Sequence, residues 1–240
     1  LSIKEEPLLV TDDETFHPKW SPDGKHIAYI KNRQSLAIIN VKTKKQTIVC
    51  EDMAYSYSDG QLHFEWSPDG KWLALAHAPK GTWQNDIAIA SIDGKTFENV
   101  TQSGFAEWAP EWSQDGKQLL FHSNRASSRV NSGESHMYSV FLTKKDEEEF
   151  LTKKNEDDEN EKRRRRKKGN EEGKKDPDEP KTPKKKKKLP VVTIEFKNIE
   201  DRIRRVTINN TGGSRLSPDG KQIAYLAKVD NKWDLWITKI

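Results

Sequence analysis

Six histidines, one cysteine and a recurring Ser-x-Asp-Gly unit are the groups in this sequence that could do chemistry. The histidines are His17, His26, His63, His77, His122 and His136. No two of them have the i, i+4 spacing of a helical zinc site, and none stands in a metal-ligand motif. A serine nucleophile of the hydrolase kind would sit in Gly-x-Ser-x-Gly, which is absent from the sequence. Gly212-Gly213 precedes a strand-like run, not a helix, so it makes no phosphate loop. Cys50 is the single cysteine, which leaves no intrachain disulfide and no cysteine cluster. It reads as a half-buried thiol on a strand. His77 and His122 read as following the second strand of their repeats at corresponding positions, in a structural or loop-facing role. No catalytic residue, metal site or cofactor site is expected in this chain.

The Ser-x-Asp-Gly unit belongs to a longer repeat. Trp20-Ser21-Pro22-Asp23-Gly24-Lys25 returns as Trp66-Ser67-Pro68-Asp69-Gly70-Lys71, as Trp112-Ser113-Gln114-Asp115-Gly116-Lys117, and as Leu216-Ser217-Pro218-Asp219-Gly220-Lys221. An apolar run follows each copy. Asp-Gly between apolar runs is a hairpin signal, because glycine supplies positive φ at no steric cost. Proline before it has no N–H and ends the first strand. The aspartates Asp23, Asp69, Asp115 and Asp219, with Gly24, Gly70, Gly116 and Gly220, therefore read as turn formers and not as acids or ligands. The glycines fall at 24, 70, 116 and 220, so the first two intervals are both 46 residues. Four short strands per repeat of that length, without helical period among them, predict an all-β fold of β-propeller blades.

The expected blades are 12–50, 51–101, 102–208 and 209–240, about four visible four-stranded blades of a propeller of six or seven. Residues 1–11 are expected to be the outer strand of a preceding blade. Pro7–Thr11 carries the apolar run for it. The third interval is 104 residues, and its surplus coincides with 144–190. From Lys153 to Lys188 there are 17 Lys/Arg against 10 Asp/Glu, a net of +7; the whole chain is +4, so the remainder is −3. This run has almost no apolar residue after Leu151 and cannot offset its ordering entropy by burial. It is expected to be a disordered charged insertion within the third blade, with strand structure resuming at Val191–Phe196 and Arg202–Ile208. The alternative is that the long interval hides two blades, one degenerate. Acidic clusters alternate with the basic ones and no aromatics interleave, so the insertion reads as a self-neutralising loop and not as a nucleic-acid site.

Trp20, Trp66 and Trp112 follow the repeat and read as blade-packing residues. Trp83 and Trp108 break it and sit near turns, which makes them the candidates for an exposed contact surface. No stretch is long and apolar enough for a membrane span. The chain does not begin with Met and ends in a strand-like run, and it reads as part of something longer.

The Trp-Ser-Pro-Asp-Gly-Lys repeat resembles one shared by the Tol-system propeller proteins, the propellers of prolyl-oligopeptidase-like peptidases, and the tricorn protease family. Phe121-His122-Ser123-Asn124-Arg125, followed by Met137-Tyr138-Ser139-Val140, is similar to a tricorn-family blade. So is the stretch from Val192 to Ile203, which includes Glu195-Phe196-Lys197-Asn198-Ile199-Glu200-Asp201-Arg202 after the charged insertion. The resemblance implies the non-catalytic N-terminal propeller portion of a serine peptidase. Its partners would be peptides or unfolded protein segments, with PDZ and peptidase domains downstream in the same protein. The catalytic residues would lie in those later domains, and no position here matches them. The implied compartment is the bacterial periplasm, with the cytoplasm as alternative. A stand-alone protein-binding propeller of the Tol kind, or the propeller of a prolyl-oligopeptidase-like enzyme, are the other readings.

Overall fold

The computed structural model describes residues 5–51, 53, 62–78, 81–126, 133–167, 189–217 and 220–240. The strands form four separate antiparallel sheets, each a simple meander. The first holds β1 (Thr15–Trp20), β2 (His26–Lys31), β3 (Ser35–Asn40) and β4 (Gln46–Cys50). The second holds β5 (Phe64–Trp66), β6 (Trp72–His77), β7 (Asp86–Ser91) and β8 (Phe97–Asn99). The third holds β9 (Glu107–Trp112), β10 (Gln118–Ser123) and β11 (His136–Phe141). After a helix, α1 (Lys144–Lys167), it is completed by β12 (Ile203–Arg205). The fourth has three strands, β13 (Thr211–Leu216), β14 (Gln222–Val229) and β15 (Lys232–Lys239), where four were expected. The architecture is an all-β partial propeller, and the long third interval belongs to one sheet, not to two.

Each repeat turn is built the same way. Ser21 Oγ donates to Asp23 Oδ1 at 2.7 Å, that carboxylate accepts the Lys25 N–H, and Ser21 Oγ accepts the His26 N–H. Ser67/Asp69 and Ser113/Asp115 repeat these bonds. Ser91/Asp93 repeats them again in the β7–β8 hairpin. Gly24, Gly70, Gly94, Gly116 and Gly220 have φ between +68° and +71°, where a side chain is strained. The turn aspartates thus spend their carboxylates on backbone N–H groups. Asp219 lies outside the described residues.

The sheets stack face to face. Ala28, Ile30, Leu36 and Ile38 of the first sheet meet Phe64, Trp66, Leu73 and Leu75 of the second. Ala74, Ile87 and Ile89 of the second meet Trp112, Leu119, Phe121 and Tyr138 of the third. Leu120 and Met137 of the third meet Ile223, Tyr225 and Ala227 of the fourth. Each sheet is therefore buried on both faces except at the two ends of the row, which explains strands that read as nearly continuous apolar runs.

Three further expectations differ from the structure. Lys144–Lys167 is a helix of 24 residues, not a run without secondary structure. Glu, Lys and Arg are good helix formers, and Thr143 caps the first turn: Asp146 N–H donates to Thr143 Oγ1, which donates back to the Asp146 carboxylate. Phe150 packs on Phe141 at 5.0 Å between ring centroids, and Glu147 pairs with Arg204 at 2.5 Å. The remainder of that expected segment up to 188 lies outside the described residues. Residues 191–196 run without strand pairing, and the outer strand is β12. Residues 7–11 also carry no strand; Leu8 and Leu9 lie against Tyr29, Ala37 and Ile39 on the outward face of the first sheet.

Candidate functional site

β1, β5, β9 and β13 lead their sheets and lie side by side. Trp66 Nε1–H donates to the Lys19 carbonyl at 3.0 Å, and Trp112 Nε1–H donates to the Glu65 carbonyl at 3.1 Å. Each tryptophan thus ties its blade to the one before, at the residue preceding that blade's own tryptophan. Trp66 and Trp112 are buried as packing residues, but Trp20 is 60% exposed.

The residues that precede the motif form a charged row across these four strands: Lys19, Glu65, Glu111 and Arg215. Lys19 Nζ reaches Glu65 Oε2 at 2.8 Å and the Phe64 carbonyl at 2.7 Å. The Glu111 carboxylate accepts the Leu216 N–H, at the one motif copy that has no indole to donate. Burial holds the Glu111 carboxyl above its ordinary value, and the neighbouring Glu65 charge adds to this; Leu216 N–H and Arg215 oppose it. The row runs cation, anion, anion, cation, with its two carboxylates on adjacent blades. Sequence reasoning missed it because attention stopped at the tryptophan. Aligning the copies one position further back would have shown a charged residue in all four.

Beside this row lies His122, in β10. Its Nε2 is 2.9 Å from Ser214 Oγ on β13, and its ring stacks on Trp108 at 5.9 Å with planes 14° apart. Burial, with a smaller push from His63, holds its imidazole down to about 4. Its Nδ1 is buried and meets no hydrogen-bonding partner among the described residues. A serine beside an imidazole is half of a nucleophile–base pair. Among the described residues no carboxylate orients the far nitrogen, and the ring is a poor proton acceptor at neutral pH. The arrangement fits contact between blades 3 and 4 and not acyl transfer. His63 is also lowered, by burial first and by Lys19 and His17. Among the described residues no three His, Cys, Asp or Glu side chains converge as a metal site.

His77 and His122 do not occupy corresponding positions. His77 pairs with Asp86 across β6–β7, whereas the matching pair in the third blade is Ser123 with His136. His122 matches Ala76 instead, so the two rings lie on opposite faces. His77 meets Phe97 at 5.0 Å. Of the candidate contact tryptophans, Trp83 is 98% exposed, in the β6–β7 connection whose Asn85 carbonyl accepts the Glu107 N–H, and Trp108 is half-buried against His122. Trp108 lies on β9, the strand that also carries Glu111 of the row.

Arg202 is the other residue the sequence did not flag. It is buried, and its guanidinium donates to the carbonyls of Phe141, Leu142, Glu195, Lys197 and Asn198. It fastens the returning end of the insertion to β11. Ten residues before it, Val192 N–H donates to Asp69 Oδ2 at 3.1 Å, so a turn aspartate of the second blade also holds this segment.

No helix of the described residues is long and apolar enough to cross a membrane. No curated protein sequence matches the chain significantly. Among solved structures, TolB from Acinetobacter baumannii matches with a TM-score of 0.53 at 18% identity, over 97% of this chain and 43% of that one. The tricorn protease matches with a TM-score of 0.57 at 15% identity, over 89% of this chain and 19% of that one. The β-propeller domain of the Trilobed protease from Pyrococcus furiosus matches with a TM-score of 0.51 at 12% identity, over 95% and 55%. The chain spans less than two thirds of each of these proteins. The family model of the TolB beta propeller domain matches residues 3–163, more than half of the chain, and the chain belongs to that family.

Proposed function

We infer that this propeller binds extended peptide or unfolded protein segments and delivers them to a serine peptidase of the tricorn kind, without cleaving them itself. The carrying observation is the row Lys19, Glu65, Glu111 and Arg215 with Trp108 beside it. It offers charge of both signs and an aromatic face, but no oriented nucleophile and base. The sequence resemblance of the stretch from Val192 to Ile203, after a charged insertion, to the tricorn family is the ground for the tricorn-like reading. In this reading PDZ and peptidase domains of the same protein are the partners and the bacterial periplasm is the compartment. A stand-alone protein-binding propeller of the TolB kind is the second reading, and the match to the propeller family accommodates either.

The test is fluorescence anisotropy with labelled unstructured casein and a panel of short peptides, beside a fluorogenic cleavage assay. Binding that weakens in Glu65→Gln and Glu111→Gln, with no turnover, is the expected result. Turnover that co-purifies with the homogeneous chain overturns it. So does binding that neither substitution changes.

A further inference from the structure

The three joints between neighbouring sheets differ where their repeat turns meet. A Cβ placed on Gly70 would lie 3.5 Å from Pro22 Cδ, in the turn of the preceding blade. One placed on Gly220 would lie 3.6 Å from Gln114 Cβ, at the same motif position as Pro22. Turn touches turn at the first and last joints. At the middle joint the three atoms nearest to such a Cβ on Gly116 all belong to Val192, with Cγ2 at 2.7 Å. Val192 lies in 191–196, the segment by which the chain returns from the insertion without joining a strand. The segment holds both blades. Val192 N–H donates to Asp69 Oδ2 at 3.1 Å, and the Phe196 ring meets Trp72 edge-on at 5.8 Å, both in the second blade. Glu195 N–H donates to the Leu142 carbonyl at 2.9 Å, at the end of β11 in the third. The segment therefore stands between two turns that touch directly at the other joints.

We propose that 191–196 is a wedge that sets the spacing of the second and third blades and, through it, the affinity of the inner-strand row. The row's two carboxylates flank this joint. Asp69 lies four residues beyond Glu65 in one hairpin, and Gly116 lies five beyond Glu111 in the next. The Trp112 indole pins the two inner strands together at the Glu65 carbonyl, so the turns pivot about a point beside the row. Close-packed blades transmit strain, and a shift at the turns reaches both carboxylates. The wedge is also joined to α1. Lys144 N–H donates to the Glu195 carboxylate at 3.1 Å, and Arg202 holds the Glu195 carbonyl. A ligand that draws on the first turns of α1 thus draws on the wedge, and by linkage a ligand on the row acts back on α1. The effect on affinity rests on the reading of the row as the binding surface; the spacing does not.

The experiment compares Gly116→Ala with Gly70→Ala. The two glycines have φ of +70° and +68°, so both variants carry the same backbone strain, and only the first strikes Val192. In a Cys50→Ala background, spin labels at Lys71→Cys and Gln114→Cys span the middle joint, and labels at Lys25→Cys and Lys71→Cys span the first. Displacing Val192 lets Pro68 close on residue 116 as Pro22 closes on Gly70. The 71–114 distance should then shorten by about 2 Å in Gly116→Ala, with 25–71 unchanged. Affinity for labelled unstructured casein should fall about fivefold in Gly116→Ala and hold in Gly70→Ala. Val192→Ala removes the clashing Cγ2 and leaves Cβ at 3.7 Å, so the double variant Gly116→Ala with Val192→Ala should regain the parental distance and affinity. An unchanged 71–114 distance in Gly116→Ala overturns the proposal. So does a shortened distance with parental affinity, or a double variant that fails to fold or behaves as the single one. A parent chain that binds no casein or peptide sinks the reading of the row, and with it the effect on affinity, while the labels still decide the spacing.

Discussion

Acidification should loosen the joint between blades 3 and 4, and His122 should account for much of the effect. Its ring sits where the other blades have Ile30, Ala76 or Leu226, in an apolar interface with one hydrogen bond to Ser214. In the folded chain it titrates near 4. An unfolded histidine titrates near 6.5. Above pH 6.5 both states hold a neutral ring and nothing changes. Below it the unfolded chain takes up a proton that the folded chain refuses, so stability falls between pH 6.5 and 4 and levels off beneath. The interval corresponds to roughly 3 kcal/mol, at 1.36 kcal/mol for each pH unit. His63 and His136 are also held below their ordinary value, burial being the first cause for each, and they add to the same trend. Urea unfolding at pH 7.5, 6.5, 5.5 and 4.5, followed by tryptophan emission, measures it. His122→Leu, which copies the fourth blade, should keep stability at pH 7.5 within about 1 kcal/mol, since a neutral hydrogen bond contributes about that much. It should also remove most of the acid loss. Parallel losses in the two proteins would refute the assignment to this ring.

Gly70→Val should cost about 1–3 kcal/mol, because φ is +68°, and a Cβ there would meet Pro22 Cδ at 3.5 Å, an ordinary contact that leaves backbone strain as the main cause; Lys71→Ala should stay within about 0.5 kcal/mol, and equal melting temperatures would count against the turn chemistry. Arg202→Met should cost about 3 kcal/mol or more by stranding buried carbonyls, read by urea unfolding; a loss under about 1 kcal/mol would mean water replaces the guanidinium. Deleting Lys153 to Lys188 should leave the melting temperature within a few degrees, since the helix contacts at Asp146, Glu147, Glu149 and Phe150 remain. In the intact chain trypsin should cut first within the deleted stretch, and early cuts confined to the sheets would contradict this.

The fold was legible because its signal is local and repeated. Ser, Asp and Gly satisfy each other within one turn, so four copies announce four hairpins whatever surrounds them. The helix was not legible from the reasoning that no apolar surface means no order. Its first two turns are held by groups distant in sequence: Lys117, kept charged by Glu149 and Asp146, then Arg204 and Phe141. The site was legible only in part. Trp108 drew notice as an irregular aromatic, yet its partner His122 and the row from Lys19 to Arg215 come together through blade stacking, which no short window of sequence contains. Arg202 looked like one more charge in a charged region, and only its burial among carbonyls distinguishes it.

Arg202 also has a practical meaning for how this blade can be altered. One guanidinium grips the Leu142 carbonyl, where the chain leaves the sheet, and the Glu195 carbonyl, where it comes back. Departure and return points are therefore neighbours, fixed by the body and indifferent to what lies between them. Such a doorway accepts cargo of any length at small entropic cost. A fluorescent protein or an affinity module could replace the charged run between Lys153 and Lys188 without prising open a strand.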